Sequence, residues 1–304
     1  MITTSANAPS MYVAVRGACD GLAAPALTIR PTASGRHFTD VPAPGGEQWT
    51  GSFAVGDGVV AATTHVPGDP DFVPRLYKFP LTSEVDAESQ IHRVPLPSMR
   101  SSLIYVRAVS RDGALAVLVV DTDQSGREEC FAVPLTGHGP VRILPAPEIM
   151  SHVFDVSVGP KSEVVLAVAG APGAPQHRRI LHHDLGGTAS TSPGTVLIED
   201  GDHGIYQIYA VDLSPDGTLL AVAGTRDGGG TFAVLVMPVG GGTPRELYQR
   251  PVSWADPVEV DLSFDGTGEH LLVGHGDICW LDISNGTCRV LTRCDEEHWM
   301  RVAW

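Results

Sequence analysis

Val211-Asp212-Leu213-Ser214-Pro215-Asp216-Gly217, followed by an apolar run from Thr218 to Gly224, is a phrase that this chain repeats. Val260-Asp261-Leu262-Ser263-Phe264-Asp265-Gly266, followed by Thr267 to Gly274, is a second clear copy. Ala108-Val109-Ser110-Arg111-Asp112-Gly113 and Ala54-Val55-Gly56-Asp57-Gly58 are looser ones, so the phrase returns roughly every fifty residues. Each copy joins two short apolar runs through a turn in which Gly takes a left-handed backbone and Ser or Asp bonds the local amides. Short strands repeated at this period are the mark of β-propeller blades.

Alternation and turn residues divide the chain into four-strand units. Five are complete: Gly51 to Leu96, Ile104 to Leu144, Val153 to Ile198, Ile208 to Tyr248 and Val258 to Leu291. The remainder is split between the ends. Tyr12–Arg16, Leu27–Pro31 and His37–Val41 read as second, third and fourth strands, and Trp299 to Trp304 reads as a first strand. Joined, they make a sixth blade and remove an open sheet edge. The expectation is an all-β, six-bladed propeller of four-stranded antiparallel blades, one domain over residues 1–304.

Bulk composition agrees with one large β domain. Hydrophobic residues make up 43% of the 304, and 34 glycines with 24 prolines supply many tight turns. Met1 to Val15 holds no basic start, apolar core or cleavage site, and no apolar run reaches membrane length, so a cytosolic protein without a membrane partner is expected. The formal charge of −15 repels phosphate backbones and argues against a nucleic-acid partner. Five irregularly spaced cysteines form no disulfide framework. With Asn285-Gly286 as a two-residue hairpin turn, Cys288 falls opposite Ile283 and Cys279 opposite Thr292, so these two thiols do not meet.

Ser214-Pro215-Asp216-Gly217, the strand after it, Arg226-Asp227-Gly228, Phe232 to Met237, then Thr243-Pro244 and Leu247 resemble the repeat of TolB-like (WD40-like, PD40) propellers. Leu262 to Thr292 resembles it nearly as well. The resemblance implies a fold and no particular reaction.

No Walker loop, Rossmann fingerprint, His-Glu-x-x-His, Gly-x-Ser-x-Gly or CxxC pair is present, and no cofactor is expected. Asp121 to Gly126 echoes a calcium loop but has Ala132 at its twelfth position, and is read as a turn. The family geometry puts loops entering first strands and loops joining second to third strands on one rim. His152, His203 and His298, with Glu297, stand on the first set and are the candidate acid–base groups. Arg178, Arg226 and His275 stand on the second set. Three converging histidines also suit zinc, but no short ligand spacing supports a metal, and none is expected.

With first strands aligned on their turns, Tyr105, Tyr209 and Trp299 share a level, and Arg107 and Arg301 lie two residues on. Residues two apart share a strand face. Facing the channel, these side chains with Trp254 would bind an anionic or aromatic small molecule. Facing a neighbouring blade, the rings would be core and the arginines would pair with Asp212 or Asp261. Two functions follow: a small-molecule site, with non-redox lyase, cyclase, isomerase or hydrolase chemistry by His and carboxylate groups, or a non-catalytic platform for a protein partner.

Overall fold

A computed structural model describes residues 11–18, 26–31, 39–56, 58–69, 73–82, 90–96, 103–121, 128–137, 142–144, 152–160, 163–170, 177–184, 194–226, 230–252, 260–292 and 297–304. Its strands form six four-stranded antiparallel sheets. Blade 1 takes β1 (Met11–Ala18), β2 (Ala26–Pro31) and β3 (Thr39–Asp40) from the start of the chain. Blade 2 is β4 (Gln48–Gly56), β5 (Val59–His65), β6 (Arg75–Pro80) and β7 (His92–Val94). Blade 3 is β8 (Leu103–Val109), β9 (Leu115–Asp121), β10 (Glu128–Pro134) and β11 (Arg142–Leu144). Blade 4 is β12 (His152–Val158), β13 (Glu163–Ala169), β14 (Arg178–Asp184) and β15 (Thr195–Glu199). Blade 5 is β16 (Tyr206–Leu213), β17 (Leu219–Arg226), β18 (Thr231–Pro238) and β19 (Arg245–Pro251). Blade 6 is β20 (Asp261–Phe264), β21 (His270–His275), β22 (Asp277–Asp282) and β23 (Cys288–Thr292). The last strand, β24 (Glu297–Ala303), pairs with β1 and completes blade 1. The six-bladed, end-sharing architecture expected from the turns is the architecture observed.

Six apolar clusters hold the ring together, one at each junction between successive blades. Strand alternation explains how one strand serves two of them. Ala221 and Ala223 of β17 face blade 6, while Leu220 and Val222 face blade 4. Second strands are therefore buried on both faces, which is why they read as nearly unbroken apolar runs.

The repeated turn is a local hydrogen-bond device. In blade 5 the Ser214 hydroxyl donates to Asp216 at 2.6 Å and accepts the Leu219 amide at 2.9 Å, and Gly217 sits at φ +71°. Blade 3 repeats this with Ser110, Asp112, Leu115 and Gly113. Blade 6 departs from the sequence alignment by two residues. Asp265, not Ser263, occupies the serine position, as its amide bonds the His270 carbonyl and Gly268 bonds back to it. The positive φ belongs to Gly268 (+74°) rather than Gly266. Asp265 can take the serine's place because it accepts bonds from Thr267 and from the His270 ring, which stacks on Trp280. Asp261 consequently aligns with Ala210, and Ser263 with Asp212.

Candidate functional site

First strands line a central cavity of about 720 Å³. Its walls run from the level of Phe53, Arg107, Asp155 and Asp261 down to Arg111, Asp112, Pro215 and Gly266, so it lies toward the Ser-x-Asp-Gly turns. Its carboxylates are committed to the fold. Asp155 accepts the Val211 amide at 2.9 Å, Asp212 that of Phe264 at 2.6 Å and Asp261 that of Val302 at 3.1 Å. Ser52, Ser157 and Ser263 accept the amides of Val106, Leu213 and Trp304. Four of the six junctions are thus bridged by an inner-strand side chain bonding the next inner strand's backbone. Asp212 also takes the Ser157 hydroxyl at 2.6 Å. Burial raises its pKa, opposed by Arg111, whose guanidinium reaches across the cavity to the Leu213 carbonyl at 3.3 Å.

The opposite rim carries the entries to first strands and the links from second to third strands. At its junction between blades 4 and 5, side chains from four strands converge. The Arg178 guanidinium, at the start of β14, lies 4.0 Å from the Phe154 ring centre and 4.8 Å from that of Tyr209. Its Nη1 donates to the Ile208 carbonyl at 2.8 Å. Burial lowers its pKa, against the pull of Tyr209 and Asp200. No described carboxylate comes within ion-pair distance of it.

His152 extends this array. Its ring meets Phe154 edge-on at 4.7 Å, and its Nδ1 lies 3.0 Å from Glu128 Oε1. The imidazole is 46% exposed and the glutamate 9%. Glu128 comes from β10 of the preceding blade and also accepts the Val153 amide. The buried carboxylate holds one ring nitrogen and leaves Nε2 toward the rim.

Strand bulges aim these residues. Phe154 is skipped between the pairs Val153↔Val168 and Asp155↔Ala167, and Tyr209 between Ile208↔Gly224 and Ala210↔Ala223. An unpaired residue leaves the two-residue alternation and re-aims its side chain. Gln207 is skipped as well and has φ +53°, and its Oε1 accepts the Tyr209 hydroxyl at 2.6 Å.

The structure thus brings His152 and Tyr209 together with Arg178 from the second set of rim loops, and adds Glu128 and Phe154. His203 stands exposed in the turn before β16, at φ +52°. Arg107 borders the channel with its guanidinium 5.2 Å from Tyr105, whereas Tyr105 packs toward blade 4. The equal spacing of these two does not give them one face, because Arg107 is a bulge residue between Val106↔Leu118 and Ala108↔Val117. The arginine acting on Asp212 is Arg111. Glu297, His298, Trp299 and Arg301 lie on β24, opposite Ala18, Gly17, Arg16 and Val15, with side chains outside the description. Trp254 lies outside the described residues. Among the described residues no three His, Cys, Asp or Glu groups form a metal cluster, and no helix is long and apolar enough to cross a membrane.

No protein-family model and no curated protein sequence matches this chain. Solved structures do. A chain from a nidogen/laminin complex aligns over 96% of this chain and 97% of its own, with a TM-score of 0.62 and 10% identity. One of two mechanistically studied prolyl endopeptidases aligns over 80% of this chain and 36% of its own, with a TM-score of 0.51 and 17% identity. Oligopeptidase B from Trypanosoma brucei aligns over 96% and 40%, with a TM-score of 0.51 and 15% identity. The chain spans well under half the length of those two peptidases. At such identities the likeness is one of fold, a six-bladed β-propeller, and no family-model match carries it to the TolB-like family.

Proposed function

We propose that the rim between blades 4 and 5 binds a small anionic ligand with a planar or aromatic body. The observation that carries this reading is Arg178, a partly buried cation against two rings whose guanidinium forms no ion pair with a described carboxylate, Asp200 being bonded to its backbone N–H instead. A desolvated guanidinium in that state favours a carboxylate or phosphate, which it grips through paired N–H donors. Phe154 and Tyr209 offer faces for stacking. His152, oriented by Glu128, supplies an acid–base group in the arrangement general acid–base catalysis needs. The chemistry proposed is therefore non-redox proton transfer, of lyase, cyclase, isomerase or hydrolase type. Membership of the TolB-like repeat family is proposed on the blade 5 motif, and a cytosolic setting on the free thiols of Cys130, Cys279 and Cys288. A protein-interaction platform is the weaker reading, since among the described residues the exposed large apolar ones, Val73, Val196, Tyr206 and Val290, belong to four different blades.

The test is a thermal-shift screen of carboxylates and phosphate esters, with and without aromatic rings, on wild type and Arg178→Met. Anionic hits that stabilise wild type and lose about tenfold or more in affinity in the variant are expected. No anionic hit, or equal binding by the variant, would overturn the reading.

A further inference from the structure

The β22–β23 hairpin places two cysteines where the sequence alone separates them. Its loop has four residues, Ile283 to Gly286, because the Asp282 amide bonds the Thr287 carbonyl and its carboxylate takes Ser284 and Asn285. Two loop residues more than a tight Asn-Gly turn change the register. Cys279 lies opposite Val290 and Cys288 opposite Leu281, with a bulge just before Cys279. The two cysteines therefore share one face, as diagonal neighbours on adjacent strands.

Their surroundings differ. Cys279 is 5% exposed and belongs to the core between blades 5 and 6, whereas Cys288 is exposed on the outermost strand. Burial pushes the Cys279 thiol up to about 12, with Cys288 the next cause. Tyr248 of blade 5 feels both of them.

We propose that Cys279 and Cys288 are a peroxide-oxidisable dithiol, in which exposed Cys288 is attacked first and buried Cys279 resolves it. The Cys288 thiolate attacks hydrogen peroxide, so an S–O bond forms, the O–O bond breaks and the departing hydroxide takes a proton to become water. The Cys279 sulfur then attacks the Cys288 sulfur, forming the S–S bond and breaking S–O. The hydroxide leaving Cys288 takes the Cys279 proton. Two thiols are oxidised by two electrons and one peroxide is reduced to two waters. Burial shields Cys279 from peroxide itself. As the outermost strand, β23 is bonded on one side only, and this leaves it room to bring the two Cα atoms to the span of about 4.4–6.8 Å that a disulfide needs. The product ties β23 covalently to β22.

The reduced full-length protein is treated with stoichiometric hydrogen peroxide, then digested without reductant and mapped by mass spectrometry. The expected result is loss of two thiols per chain as a reductant-reversible Cys279–Cys288 link. That link persists in a Cys19→Ser, Cys294→Ser double variant and is abolished in Cys288→Ser. Cys279→Ser should leave Cys288 as a sulfenic acid trapped by dimedone. The proposal is overturned by any other course: no thiol lost, Cys288 oxidised to sulfinic or sulfonic acid beside reduced Cys279, or Cys288 linked to Cys294 or to another chain.

Discussion

Asp212 of blade 5 accepts the backbone N–H of Phe264 of blade 6 at 2.6 Å. Successive inner strands do not share a ladder, since each belongs to its own sheet. A carboxylate here takes the place of the neighbouring carbonyl, and so keeps satisfied a backbone donor that no adjacent strand can pair.

Asp212→Ala leaves the Phe264 amide and the Ser157 hydroxyl without this acceptor. The expected loss is about 1–3 kcal/mol for a stranded buried group, with Asp212→Asn milder because one acceptor oxygen remains. Urea unfolding measures both. Burial also holds the folded-state pKa above 3.8, so the folded protein keeps this proton longer than the unfolded chain. Wild type should therefore lose stability relative to Asp212→Asn as pH rises from 3.8 through the folded value. A parallel pair of profiles would contradict this.

His183 titrates in the opposite sense. Both its ring nitrogens are buried without a described hydrogen-bond partner, and burial, aided by His182, holds its pKa below 6.5. The unfolded chain takes up the proton first on acidification. The stability tied to neutral His183 is full above 6.5 and is lost as pH falls through the lowered folded value. His183→Leu should flatten the urea midpoint between about pH 7.5 and pH 5, and an unchanged slope would count against it.

In blade 6 two glycines distinguish the observed turn from the aligned one. Gly268 has φ +74° and an added Cβ would meet Pro215 at 3.1 Å, while Gly266 has open space and no positive φ. Gly268→Ala should cost about 1–2 kcal/mol in unfolding free energy, from left-handed strain. Gly266→Ala should stay within about 0.5 kcal/mol of wild type, as surface changes commonly do. The reverse order would restore the alignment read from the repeat.

Ending the chain after residue 296 removes β24, opens the β1 edge and strips Asp261 and Ser263 of the Val302 and Trp304 amides. Cooperative melting at the full-length temperature should be lost, because buried Val302 and Trp304 leave the blade 6 interface too. A truncated protein that melts like the intact one would mean that closure contributes little.

The six blades were legible because turn chemistry and alternation are local, and Ser214, Asp216 and Gly217 form their contacts within one turn. The shared blade followed from strand-like leftovers at the two ends. The blade 6 register was not legible, because Asp265 can do the work of a serine and the decisive Gly268 has no special neighbour in sequence. His152 was visible as a rim histidine, but its Glu128 partner sits on another blade, and no spacing rule connects them. Phe154 was hidden for a different reason: it occupies a bulge, where the two-residue rule fails, and the bulge at Tyr209 likewise sets a direction that the aligned level of that residue does not give.

The pairing of Val13 with Ala303 and of Val15 with Arg301 sets an order in time as well as in space. Of the described strands β1 is synthesised first, yet the strand that covers its inner edge is synthesised last. Blades 2 to 6 can each gather their four strands locally, whereas blade 1 waits for the longest closure among the described strand pairs. Until then β1 offers an unpaired edge to any other nascent chain. In refolding, the amides of Val13 and Val15 should gain protection from exchange last, and the interval before they do is when the protein is most exposed to misassembly.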